Sequence, residues 1–205
     1  FENIRAISSY NAKHGWVLTG EMDINQYLND EILEYSREEI DLYYFDYYKI
    51  KNESFNFTTY GNAKKAILRN INAKWIELLE ECFECHNNGF YKIVIPSLFA
   101  IIEGEISFIA QSDLIGNRLL KDWKSNIDTE SDKFDAIALY SILVFLQESL
   151  FLSRKFDDQR PEIINRNWVL HGRDDPKYWN EVDYYRLINT LSALQFVKVI
   201  LKKEN

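Results

Sequence analysis

The sequence predicts an all-α protein, on three observations. It holds only three prolines and seven glycines in 205 residues, which leaves long stretches free of the residues that interrupt helices. Apolar residues recur every three or four positions through several windows, the spacing of one helix face. Alternation of apolar and polar residues over the length of a strand is not found.

Taken in order, residues 1–30 read as irregular, with Gly15 and Gly20 flanking Trp16-Val17-Leu18. From Asp30 to about Ile50 the pattern is helical: Ile40, Tyr43, Tyr44 and Tyr47 share a stripe, and charges fill the opposite face. A polar connector then separates an N-terminal helical extension, residues 1–60, from a helical domain, residues 61–205. Asn62 begins a long helix in which Ile67, Ile71, Trp75, Leu78 and Cys82 keep one face, ending near Asn87-Asn88-Gly89. A second helix, about Ile93 to Gln111, is apolar nearly all round and is expected at the centre of the core, with Pro96 tolerated in its first turn. A third core helix is expected from about Asp132 to Phe156. Pro161 reads as the first residue of a short helix capped by Asp157 or Asp158 and ended by Gly172. The last helix sets Leu187, Leu191, Leu194, Val197 and Leu201 on one face and closes on Lys202-Lys203, which suits the helix dipole.

Composition narrows the function classes. Apolar residues make up 46% of the chain, which excludes a disordered protein. A net charge of −8 argues against a protein that coats nucleic acid without specificity, since that affinity comes from cationic surface. The longest apolar run, Ala136 to Leu146, is shorter than the about 20 residues of a membrane span, so no membrane association is expected. Two cysteines cannot build a disulfide framework, which points to a reducing cytoplasm. Cys82-Phe83-Glu84-Cys85-His86 matches the c-type haem attachment pattern, but its place in a helix whose apolar stripe uses Cys82 favours a buried cysteine beside a partly exposed one. No cofactor and no metal are therefore expected. Phosphate-binding glycine loops, nucleophile elbows and zinc-protease helices are not found.

One segment carries chemistry: Arg166-Asn167-Trp168-Val169-Leu170-His171, closed by Gly172. It pairs a permanent cation with the one side chain that changes charge near neutral pH. RNA cleavage can use such a pair without a metal. Arginine holds the phosphate and neutralises developing charge, while histidine moves a proton to or from a ribose hydroxyl or the leaving oxygen.

These residues resemble the signature of the HEPN superfamily, an arginine and a polar residue followed after a few variable positions by histidine. The resemblance covers roughly residues 62–205. It implies a helical domain that dimerises with two motifs facing a shared cleft, and a metal-independent endoribonuclease of bacterial toxin or abortive-infection systems. It further implies RNA as substrate, and an antitoxin or activating partner. Arg166, Asn167 and His171 are the catalytic candidates it indicates. Other members of the family are non-catalytic and bind nucleotides or proteins.

Read by themselves, Arg166 and His171 stand five residues apart, about 140° around a helix axis, whereas Asn167 and His171 nearly line up. One helix does not by itself bring arginine and histidine together; the long arginine stem and the helix end at Gly172 can help, and so can a two-fold partner, which is the reason to expect a homodimer. Arg160, Arg173 and Lys177 flank the motif as candidate RNA phosphate contacts, interleaved with Asp157, Asp158, Asp174 and Asp175. Glu103 and Glu105 interrupt an apolar helix, and one of them is expected to orient Arg166 or His171, with Glu103 the candidate. A plain helical interaction protein is the other reading, with Tyr43, Tyr44 and Tyr47 as its interface.

Overall fold

The structure, a computed structural model, describes residues 2–52, 57–126 and 134–203. Along the chain run α1 (Glu2–Lys13), α2 (Ile24–Tyr27), α3 (Arg37–Lys49), α4 (Thr59–Asn70), α5 (Ile76–Asn87), α6 (Tyr91–Ala110), α7 (Gly116–Ser125), α8 (Phe134–Phe145), α9 (Arg166–Leu170) and α10 (Glu181–Lys203). Among the described residues the only extended pairing is a two-residue antiparallel ladder, Lys51 opposite Thr58 and Asn52 opposite Phe57. The protein is all-α, as its composition and periodicity predict.

The core is built around α10, which packs on α6, α4, α8 and α3. Its leucine face is buried as expected, and so is its polar face: Asp183, Arg186, Asn189, Thr190, Ser192, Gln195 and Lys198 are all buried. Burial of that face is tolerable because its groups find partners. Asn189 accepts from the Val17 amide at 2.8 Å and donates to the Val17 carbonyl at 3.0 Å, holding the Trp16–Leu18 segment to α10 as a neighbouring strand would be held. Arg186 donates to Asp183 at 2.8 Å and also to Asp41. Lys198 Nζ donates to Glu105 at 2.8 Å, to the Asn70 carbonyl at 2.7 Å and to Gln195 at 3.1 Å.

Residues 2–30 are more ordered than their sequence suggests. α1 packs on α8, yet its buried face is Ile7, Ser8, Asn11 and Ala12, half polar and so without an apolar stripe. Ala12, Trp16, Ile40, Tyr44 and Tyr48 enter the same hydrophobic cluster as the residues of α5, α6, α8 and α10.

The expected helix from Asn62 to Asn87 is two helices. The chain leaves α4 at Ile71, whose backbone is extended, and re-enters through a 3₁₀ turn, Ala73–Trp75, capped by the Asn72 side chain. Asparagines compete with the helical backbone for hydrogen bonds, and the two here have outside partners: Asn70 through its carbonyl to Lys198, and Asn72 through its amide to Glu105 at 3.2 Å. α6 is central to the core, as expected, but is not buried all round. By length and composition it could cross a membrane, but it packs against α5, α7, α9 and α10, with Ile93 and Phe108 exposed along its outer side. The third core helix ends early: α8 widens after Phe145 into a π turn, Leu146–Leu150, closed by the Phe151 amide on the Leu146 carbonyl. Its expected start at Asp132 lies outside the described residues.

Candidate active site

α9 begins at Arg166, not at Pro161, and its cap is Asn165. The Asn165 side chain accepts from the amides of Asn167 at 3.0 Å and Trp168 at 3.2 Å, two of the donors a helix start leaves unpaired. Its amide group donates to the carbonyls of Ser149 at 2.8 Å and Leu152 at 2.9 Å, where the π turn ends. One buried side chain therefore satisfies two chain ends and fixes α9 against α8. Gly172, at φ +64°, stops the helix. The Gly172 amide meets the Val169 carbonyl at 3.1 Å and the Arg173 amide meets that of Trp168 at 2.8 Å, a closure that needs a left-handed residue.

Arg166 is held firmly. Its Nε and one terminal nitrogen reach the same Glu103 oxygen on α6, at 3.0 and 2.6 Å. Its other terminal nitrogen donates to the Asn167 side-chain oxygen at 3.0 Å. The second Glu103 oxygen accepts from the Gly116 amide at 2.8 Å, at the start of α7. The ion pair is only 17% and 15% exposed on its two sides, so water screens it weakly. Of the five N–H bonds of a guanidinium, three point at Glu103 and Asn167 and two are left. An anion arriving here meets a charge already balanced by Glu103, and would be held by those two donors.

His171 occupies the other end of α9, at its C-cap. The side chain is exposed, with its ring edge-on to Phe156 at 5.9 Å. Among the described residues neither imidazole nitrogen has a hydrogen-bond partner. Arg166, Asn167 and Glu103 are thus brought together, and His171 stands apart from them within one chain, in line with the helix geometry.

The three flanking cations are placed differently from simple phosphate ligands. Arg160 makes a two-bond pair with Asp174, at 2.6 and 3.0 Å. Asp174, nearly buried, also accepts from the Trp179 indole at 2.8 Å, which pins the loop after the motif. Lys177 pairs with Asp175 at 2.8 Å. Arg173 lies over the ring of Phe156, 5.2 Å from its centroid.

The other candidates fall into the scaffold. Cys82 is buried, and His86 has both ring nitrogens engaged, with Glu181 at 3.0 Å and the Tyr60 hydroxyl at 3.3 Å. Tyr60 in turn shares a hydrogen bond of 2.6 Å with Tyr184. Burial lowers the His86 pKa against the opposing pull of Glu181. It also pushes the Tyr60 phenol up to about 12, so Tyr60 stays protonated. The neutral imidazole then has one polarity: Nε2 donates to Glu181 and Nδ1 accepts from Tyr60, which leaves Tyr184 to donate to Tyr60. The tyrosine stripe of α3 is no open interface. Tyr44 is buried against Trp16, Tyr43 donates to the Gln26 carbonyl at 2.8 Å, and the Tyr47 hydroxyl accepts from the Asp23 amide at 2.8 Å.

Sequence reasoning took Asp174 only as a charge between the flanking cations, and passed over Asn165, Phe156 and Tyr178. A signal for the last two was present, since each adjoins a lysine in sequence, Lys155-Phe156 and Lys177-Tyr178. No family model matches this chain, and neither a curated protein nor a solved structure matches it.

Proposed function

We propose that the chain is a metal-independent endoribonuclease of the HEPN type, acting as a homodimer in the bacterial cytoplasm as a defence or toxin effector. The observation that carries the proposal is the division of labour along α9. Arg166 is immobilised by Glu103 and Asn167 with two donors to offer, while His171 is exposed with both nitrogens free.

In this reading the ribose 2′-oxygen attacks the adjacent phosphorus and the bond from phosphorus to the 5′-oxygen breaks. The products are a cyclic phosphate and a 5′-hydroxyl. Arg166 binds a non-bridging phosphate oxygen and stabilises the charge that grows there, while Asn167 and Glu103 keep the guanidinium aimed. His171 accepts the proton of the 2′-hydroxyl or delivers one to the departing 5′-oxygen. One imidazole cannot be base and acid in the same step. Two copies of α9 facing one another supply both, and also bring an arginine of one copy near a histidine of the other. An antitoxin or an activating partner would act by covering or opening that shared cleft.

Incubation of the purified protein with RNA in excess chelator tests the proposal: cleavage is expected from the wild type and not from His171→Ala. A non-catalytic module that binds nucleotides or a protein partner is the reading left if neither protein cuts.

A further inference from the structure

Two exposed aromatic rings beside α9 have no part in the core. Phe156 is 45% exposed and Tyr178 is 52% exposed, and neither belongs to the hydrophobic cluster or to the residues packed on it. Each ring carries cations. The Arg173 guanidinium lies 5.2 Å from the Phe156 centroid. Arg160 and Lys177 lie 5.0 and 4.8 Å from that of Tyr178. The two stacks are linked, because Arg160 is bound to Asp174, the neighbour of Arg173 in the chain. Phe156 is set in place by edge contacts to Trp168 at 6.0 Å and to His171 at 5.9 Å.

The chemistry of this surface is that of flat π faces more than of net charge. Arg160 and Lys177 are already neutralised by Asp174 and Asp175, so they offer little to a phosphate. What remains is apolar ring surface that gains by being covered, polarised by adjacent cations. Nucleobases of an unpaired strand match that surface, for every base has a π face and stacks on aromatic side chains or on a guanidinium plane. Bases inside a duplex do not match it, since their faces are already covered by their neighbours.

We infer that Phe156 and Tyr178, with Arg173, Arg160 and Lys177 on their faces, form a stacking platform for bases of an unpaired RNA strand. A base on Phe156 sets its own ribose and phosphate beside His171. The inference rests on the nuclease reading above for its choice of RNA and deepens it: the substrate is single-stranded, and recognition tolerates base identity.

The test is binding of a dye-labelled, unpaired oligonucleotide with every ribose 2′-O-methylated, measured by fluorescence anisotropy on the full chain beside a hairpin duplex of the same composition. Methylation removes the attacking hydroxyl, so binding is read without cleavage. Phe156→Leu and Tyr178→Leu are each expected to weaken binding about tenfold or more, while Phe156→Trp and Tyr178→Phe retain it. Tyr178 does not touch the motif, so its variants guard against a local distortion at Phe156. Binding unchanged in both leucine variants overturns the platform, as does a hairpin bound as tightly as the open strand, or no binding of either probe. Ring-dependent binding without cleavage of an unmethylated strand leaves the platform standing and removes the nuclease. Cleavage with ring-independent binding does the reverse.

Discussion

One oxygen of Glu103, on α6, receives both the Nε and a terminal nitrogen of Arg166, on α9, at 3.0 and 2.6 Å. The other Glu103 oxygen holds the start of α7 through Gly116. One carboxylate thus joins three helices and sets the direction of the motif arginine.

Replacing it separates positioning from charge. Glu103→Gln keeps a side chain of the same shape but removes the anion from a poorly screened pair. A loss of about 1–3 kcal/mol in folding stability is expected by urea denaturation, with Arg166 free to swing. Cleavage should fall through kcat while KM changes less, because the released guanidinium still binds phosphate. An unchanged kcat at reduced stability would make Glu103 purely structural.

The two motif ends should respond differently to truncation. His171→Ala removes an exposed, unpartnered ring and should shift stability by no more than about 0.5 kcal/mol, while abolishing cleavage. Arg166→Ala abolishes cleavage too, but strands the Glu103 carboxylate, so its melting temperature should fall. Arg166→Lys keeps the charge and loses the fork that spans Glu103 and Asn167, and is expected to fold well and cleave poorly. Matching thermal scans of the three variants check this ordering.

Asn165 is the side chain on which the local geometry depends most. Asn165→Ala leaves two α9 amides and the Leu152 carbonyl without this partner, and the Ser149 carbonyl with only its 3.3 Å bond from the Leu152 amide. A loss of about 1–2 kcal/mol is expected from removal of the cap and of two part-buried hydrogen bonds. Asn165→Asp preserves the cap but not the donors to Ser149 and Leu152, and should fall between wild type and alanine in urea midpoint.

The distant half of the core answers to pH. His86 and His14 both have pKa values lowered below 6.5, chiefly by burial. The unfolded chain therefore takes up protons first as pH falls through the ordinary imidazole range. Stability from these neutral rings is full above about pH 6.5 and declines toward the lowered values. For His86, protonation turns Nδ1 into a donor and reverses the bonding through Tyr60 to buried Tyr184. His86→Gln should flatten part of the decline that sets in below about pH 6.5, with His14 supplying the rest. A urea midpoint that falls with the same slope in the variant would place the pH dependence elsewhere.

Much of the helical order was legible because it rests on apolar spacing. Ile67, Leu187 and Leu191 are buried where periodicity puts them. What could not be read was order supplied by polar pairing across long chain separations. Asn11, on a buried helix face that is only half apolar, donates to the Tyr27 carbonyl, Asn189 binds Val17 from the far end of the chain, and Lys198 draws the Asn70 carbonyl out of a helix the stripe would have continued. At the site, the chemistry of Arg166 and His171 was visible in residue type, and their separation in the arithmetic of the helix. The cap at Asn165, and the cations lying on Phe156 and Tyr178, depend on how the loops fold back and leave only faint marks in sequence.

The central claim is tested most directly by RNA cleavage in the presence of EDTA, wild type beside His171→Ala, with the products' ends identified. The account predicts metal-independent cutting by the wild type alone, leaving cyclic phosphate and 5′-hydroxyl termini. Equal cutting by both proteins, or cutting that vanishes with EDTA, would contradict it.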